Sequence, residues 1–225
     1  MNEAEASMNA DLRELYSEAF VKFRDAGVDL EGVSGLHALV VPESYHLAKT
    51  KLMIAGQETR GWGNPQDDVE TQLRRYVRFD LGKRFMRTPF WRNSHALNKA
   101  VNEGGSQLTF LWSNLVKASR LEKRPPAEVE ELVSGLGLVQ GEIRIARPDA
   151  VVFFTGPYYD ARLRKTFPGV EYHSIFDLVY RLEHPDLPEL AFRTYHPQYL
   201  SRSGNLHVIQ QLAEMIRGRV PIGNA

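Results

Sequence analysis

Four short apolar runs set the possibilities for this chain: LMIAG (52–56), LTFLW (108–112), AVVFFTG (150–156) and LAFRTY (190–195). They are nearly continuous rather than alternating, so each reads as a strand buried on both faces. Stretches with helical spacing lie between them, at about 68–82, 91–103, 126–146, 158–166 and 204–218. A shorter strand fits 170–175. Strand–helix alternation implies an α/β fold, a three-layer α/β/α sandwich around a mainly parallel, four-stranded sheet. Residues 9–26 carry Leu12, Leu15, Ala19, Phe20 and Phe23 at helical spacing, with Gly27 as the stop. The first eight residues and the last few after Pro221 read as frayed ends. The 225 residues form one domain on this reading, with the chemistry-bearing core at about 50–218.

Composition narrows the chemistry. There is no cysteine, which excludes disulfides, thiolate zinc sites, iron–sulfur clusters and a cysteine nucleophile. No His-Glu-x-x-His or similar metal spacing occurs. No cofactor or metal is expected. No apolar stretch reaches the length of a membrane span, and the acidic, polar opening is not a secretory signal. A cytoplasmic monomer is the expectation. The 28 Lys/Arg balance 28 Asp/Glu, so any nucleic-acid affinity must come from local patterning. Residues 74–92 supply it: Arg74, Arg75, Arg78, Lys83, Arg84, Arg87 and Arg92 against the single acid Asp80, interleaved with Tyr76, Phe79, Phe85, Phe90 and Trp91. A second run sets Lys117, Arg120, Lys123 and Arg124 against Glu122. Both runs read equally well as solvated faces.

In a parallel sheet, ligands bind beyond the carboxyl ends of the strands. The first run leads into Gly56-Gln57-Glu58-Thr59-Arg60-Gly61-Trp62, a carboxylate between glycines that allow close backbone approach. The second leads into Ser113-Asn114, whose planar amide suits the edge of a pyrimidine. The third leads into Gly156-Pro157-Tyr158-Tyr159-Asp160, and the fourth into His196-Pro197-Gln198-Tyr199-Leu200-Ser201-Arg202. Each has an ordinary alternative: a polar turn, a cap or a structural histidine.

Taken in order, these motifs resemble those of the uracil-DNA glycosylase superfamily. Gly56-Gln57-Glu58 is similar to the family's Gly-Gln-Asp-Pro-Tyr, Asn114 falls where the family places its base-reading amide, and His196 through Ser201 is similar to His-Pro-Ser-Pro-Leu-Ser. The resemblance implies a uracil-DNA-glycosylase-like fold and a monofunctional DNA glycosylase that flips out a pyrimidine and leaves an abasic site. Glu58 and His196 would be catalytic. Asn114, Gln57 and Arg60 would read the base, and Phe90 and Trp62 would stack on it. Leu200 and Tyr199 would form the wedge, and Ser201, Arg202, Lys117 and Arg120 would contact phosphates. DNA would be the partner.

The departures from the family pattern are specific. Glu58 replaces the aspartate and adds a methylene. Thr59 and Arg60 stand where the family has its proline and its tyrosine, which leaves the gate against C5 substituents without its aromatic ring. Uracil, or a modified pyrimidine with a C5 substituent such as those of phage DNA, is therefore the expected substrate class, with DNA repair or anti-phage defence as the setting. The alternatives are a glycosylase-fold protein that binds DNA or a modified base without cutting, and an unrelated α/β enzyme acting on a small molecule. The last lacks any Gly-x-Ser-x-Gly elbow, P-loop or dinucleotide glycine pattern to support it.

Overall fold

The computed structural model describes residues 3–105, 109–121 and 123–218. Its strands are β1 (Leu52–Glu58), β2 (Leu111–Val116), β3 (Ala150–Phe154), β4 (Glu171–Phe176), β5 (Val179–Glu183) and β6 (Leu190–Thr194). They form one sheet in the order β2-β1-β3-β6-β5-β4. The first four in that order run parallel, and the β4–β5 hairpin extends the sheet antiparallel to β6. The expected four-stranded sheet is therefore six-stranded. The short strand at 170–175 is β4. Its partner β5, paired on both sides, was not legible, because VYRLE mixes apolar and charged residues and leaves no continuous apolar run.

The helices are α1 (Glu3–Arg24), α2 (Glu43–His46), α3 (Val69–Phe79), α4 (Pro89–Val101), α5 (Ala127–Gly135), α6 (Leu138–Ala146), α7 (Asp160–Thr166), α8 (Pro197–Arg202) and α9 (His207–Ile216). Alternation along the strands assigns the two faces. Trp112, Asn114 and Phe154 belong to one face, where the rings of Tyr76 and Trp91 pack on Trp112, and Phe90 packs on Phe154. That face is covered by α3 and α4, with α9 along α4. Ser113 and Phe153 belong to the other, where Ser113 meets Glu142 of α6 and Phe153 meets Phe167 after α7.

Several boundaries differ from expectation, three of them with consequences for the core. The first helix begins at Glu3 rather than at residue 9. The stretch 126–146 is two helices, broken where Gly137 takes a left-handed φ of 65°. β2 runs to Val116, beyond the expected end at 112, because Ser113 and Asn114 are buried polar residues inside the strand rather than a loop after it. Residue 108, the expected start of that strand, and the last five residues lie outside the described residues.

One buried charge pair ties the second layer to the sheet. Lys117 and Glu142 are 1% and 0% exposed. The Lys117 ammonium donates to both Glu142 oxygens (2.6 and 2.5 Å) and to Ser113 Oγ. The hydroxyls of Ser113 and Tyr16 also donate to that carboxylate, at 2.7 and 2.8 Å. Burial pulls the ammonium pKa down while Glu142 pulls it back. Beside the pair, His37 is fully buried among Trp62, Tyr76 and Trp112, with both ring nitrogens unpartnered. Burial first, and Lys117 second, hold its pKa well below the ordinary value, so it is neutral in the folded chain.

Two outcomes are expected. Lys117→Met leaves an uncompensated buried carboxylate and lowers unfolding free energy by about 3–5 kcal/mol in urea titrations. The unfolded chain protonates its histidines near pH 6.5 while folded His37 stays neutral. Stability is therefore full above about pH 6.5 and declines as the pH falls below it. His37→Phe should remove its share of that slope in melting curves recorded between pH 7 and 5.

Candidate active site

Gly56 and Asn114 sit side by side in the β1–β2 register, at the carboxyl ends of their strands. A Cβ on Gly56 would come within 2.5 Å of Asn114 Oδ1 and 3.3 Å of Phe90 Cε2. The missing side chain is what lets an amide and a ring meet over the strand end. Asn114 is 2% exposed, and its Nδ2 has no hydrogen-bond partner. A buried amide left unpaired costs about 1–3 kcal/mol, so this donor is poised for an acceptor.

Phe90 stands in the first turn of α4, and its ring stacks on His196 with centroids 5.7 Å apart and planes 20° from parallel. His196 ends the segment after β6 and caps α8. The Gln198 backbone N–H donates to its Nδ1 at 3.2 Å. Neutral imidazole with an accepting Nδ1 carries its proton on Nε2, so the free nitrogen is a donor. Burial, and then the charge of Arg60, lower the His196 pKa to about 4. The ring is a neutral donor across the physiological range.

Glu58 ends β1. The loop after β3 lies next to β1 because those strands are paired. From it, the Tyr159 hydroxyl donates to Glu58 Oε2. Burial, reinforced by Glu58, raises the Tyr159 pKa well above its ordinary value, so the phenol keeps its proton. Arg124 lies over the Tyr159 ring, 5.2 Å from its centroid, and is itself held by Glu130. Tyr159 thus fixes the longer carboxylate. Sequence reading missed this role, since only the β1–β3 pairing places the two residues together.

Other assignments divide. Gln57 donates its amide N–H to Thr155 O at 2.8 Å, so that donor holds two strand ends together. Thr59 is buried against Ser34, while Arg60 is exposed with no salt bridge among the described residues. Trp62 is corrected: it is 6% exposed and packs against His37, Phe79 and Trp112, which leaves Phe90 as the stacking ring. Leu200 is also corrected. Pro197 starts α8, and the turn directs Leu200 inward to 0% exposure, so it cannot be a wedge. Tyr199 remains 48% exposed and stacks on Tyr195, 4.5 Å between centroids.

Lys117 cannot reach a phosphate, being buried on Glu142. Arg120 is paired with Asp29 at 3.3 Å and Arg124 with Glu130, so the second basic run is largely neutralised; Glu122 lies outside the described residues. Ser201 is half-buried and Arg202 exposed on α8.

Concavities of about 270 and 340 Å³ lie elsewhere, one along Arg181–Glu189 and one between Arg13 and Glu70; no residue of the strand-end cluster lines either. Among the described residues, no group of three or more His, Asp or Glu side chains could hold a metal ion, and no helix is long and apolar enough to cross a membrane. No protein-family model matches the chain, and no curated protein matches it.

The site generates one direct spectroscopic expectation. In ¹⁵N NMR, His196 should show a protonated Nε2 and an unprotonated Nδ1 at neutral pH, and titrate near pH 4. A midpoint above 6 would contradict that burial.

Proposed function

We propose that the chain is a monofunctional DNA glycosylase of uracil-DNA-glycosylase-like fold, acting on a pyrimidine flipped out of the strand. The observation that carries this reading is the buried Asn114 amide with its unpaired Nδ2, set beside an aromatic ring and a neutral histidine donor. A base entering over Gly56 gains a stacking surface from Phe90 and an edge partner from Asn114. Cleavage of the C1′–N1 bond leaves the electron pair on the base and positive charge on the sugar. The His196 Nε2–H donates a hydrogen bond to the base oxygen that gains charge. Glu58, held by Tyr159, orients water toward C1′ and accepts its proton as the new C–O bond forms. The products are a free base and an abasic site. The named cluster contains no lysine amine to form a Schiff base, so no strand cleavage is expected.

The resemblance sets Arg60 where the family has the tyrosine on the C5 side of the base, and its charge reaches His196. Its exposed, unpaired guanidinium favours a pyrimidine bearing a polar C5 substituent over a bare uracil. Such bases are a feature of some phage DNA, which supports a defence role ahead of housekeeping repair.

A base-release assay tests this reading with DNA carrying uracil, thymine, hydroxymethylcytosine or its glucosylated form, abasic sites being revealed by alkali. Release from one base should fall by about 10²–10³-fold in His196→Ala and Asn114→Ala, and at least as much in Glu58→Gln. Tyr159→Phe should lose about 10–10²-fold with DNA affinity unchanged. Tight DNA binding without product, unaltered by Glu58→Gln, would favour the binding-only reading. Binding of a small metabolite but no DNA would favour the small-molecule enzyme.

A further inference from the structure

On the glycosylase reading, Leu200 is buried and only Tyr199 of the expected wedge stays at the surface, and the segment between α3 and α4 has the chemistry for a further duplex contact. Asp80, Leu81 and Gly82 take left-handed φ values of 48°, 47° and 64° in succession. Non-glycine residues held there cost about 1–3 kcal/mol each and persist only where the surroundings enforce them. Here they do. A Cβ on Gly82 would stand 2.1 Å from Trp91 Cδ2, and His95 Nε2 lies 2.8 Å from Leu81 O. The Thr88 backbone N–H and hydroxyl both donate to Phe85 O at 2.8 Å.

The result is a fixed knuckle. At its tip Phe85 is 48% and Met86 39% exposed, an uncommon placement for two adjacent large apolar residues. Arg84 and Arg87 flank them, with Arg78 before and Arg92 after. All four arginines are exposed, and none forms a salt bridge among the described residues. Lys83 is neutralised by Asp80. In a chain of zero net charge, four unpaired guanidinium groups around an apolar tip form a local cationic surface, complementary to a polyanion whose interior is apolar.

We propose that this knuckle is the duplex-docking element: Arg84 and Arg87 take backbone phosphates, and the Phe85–Met86 tip presses into the base stack beside the extruded nucleotide. The inference rests on the DNA reading above and adds the surface by which the strand is held. Met86 is four residues from Phe90, so their Cα atoms are at most about 14 Å apart. That is roughly four base steps of rise along the helix axis, at about 3.4 Å each.

The test uses full-length Glu58→Gln protein and a duplex carrying 2-aminopurine within four nucleotides of a mismatched pyrimidine. Affinity is read by anisotropy over a salt series, and unstacking by 2-aminopurine fluorescence. Adding Arg84→Ala and Arg87→Ala should weaken binding about tenfold or more and lower the salt slope by about 2. Adding Phe85→Ser and Met86→Ser should preserve the slope and abolish the fluorescence rise. Met86→Asp, which spares the Phe79–Phe85 stack, should also suppress the rise if the tip enters the base stack. Wild-type-like affinity, slope and fluorescence in all these variants, with the parent binding DNA, would overturn the knuckle proposal alone. Failure of the parent to bind any DNA would overturn it together with the glycosylase reading.

Discussion

An ammonium and a carboxylate sealed from water hold the site-bearing strand in place. Lys117 and Glu142 each lose their hydration on burial, a cost of several kcal/mol per ion. It is offset because every lone pair and proton finds a partner: Lys117 donates to both oxygens, and Ser113 and Tyr16 complete the carboxylate. Ser113 precedes Asn114, and Lys117 follows it by three residues. The knot therefore clamps β2 on both sides of the amide that defines the site. It also joins α1 and α6 to the sheet, so the position of Asn114 is coupled to the packing of the whole second layer.

On the opposite face the determinant is an absence. Gly56 supplies no Cβ, and Asn114 and Phe90 close over the gap. The same face brings His196 against Phe90, with its tautomer set by one backbone N–H from Gln198. Glu58 comes from the strand end beside them and is fixed by a tyrosine from the β3 loop. Each group is held by something the others do not share: a register, a cap, a hydrogen bond across paired strands. On the proposed reading that rigidity would serve catalysis, because groups aimed at developing charge work best when no reorganisation is needed.

The parallel core was legible in the sequence because a strand buried on both faces leaves a run of apolar residues, and the proximity of Gly56 to Asn114 followed from the ends of those runs, although both lie inside their strands rather than in the loops expected after them. What stayed hidden depended on tertiary partners. Lys117 looks like a surface cation until Glu142, 25 residues away, is placed against it. Leu200 looks like a loop residue unless Pro197 is taken as the first residue of a helix, a position proline favours. Tyr159 could be assigned only from the sheet order, which no local pattern encodes. Trp62 was drawn into the core by His37 and Trp112, distant residues whose rings it meets.

We propose that Asn114, Phe90 and His196 form the seat for a pyrimidine. The most direct test follows the Asn114 side-chain amide and the His196 ring by ¹⁵N–¹H NMR as free pyrimidine bases are titrated into the protein. The account predicts saturable shifts at both residues for at least one base, with Trp62 and the Lys117–Glu142 pair unperturbed. Bases that bind with shifts confined to other surfaces, or no shift at Asn114 with any of them at millimolar concentration, would contradict it.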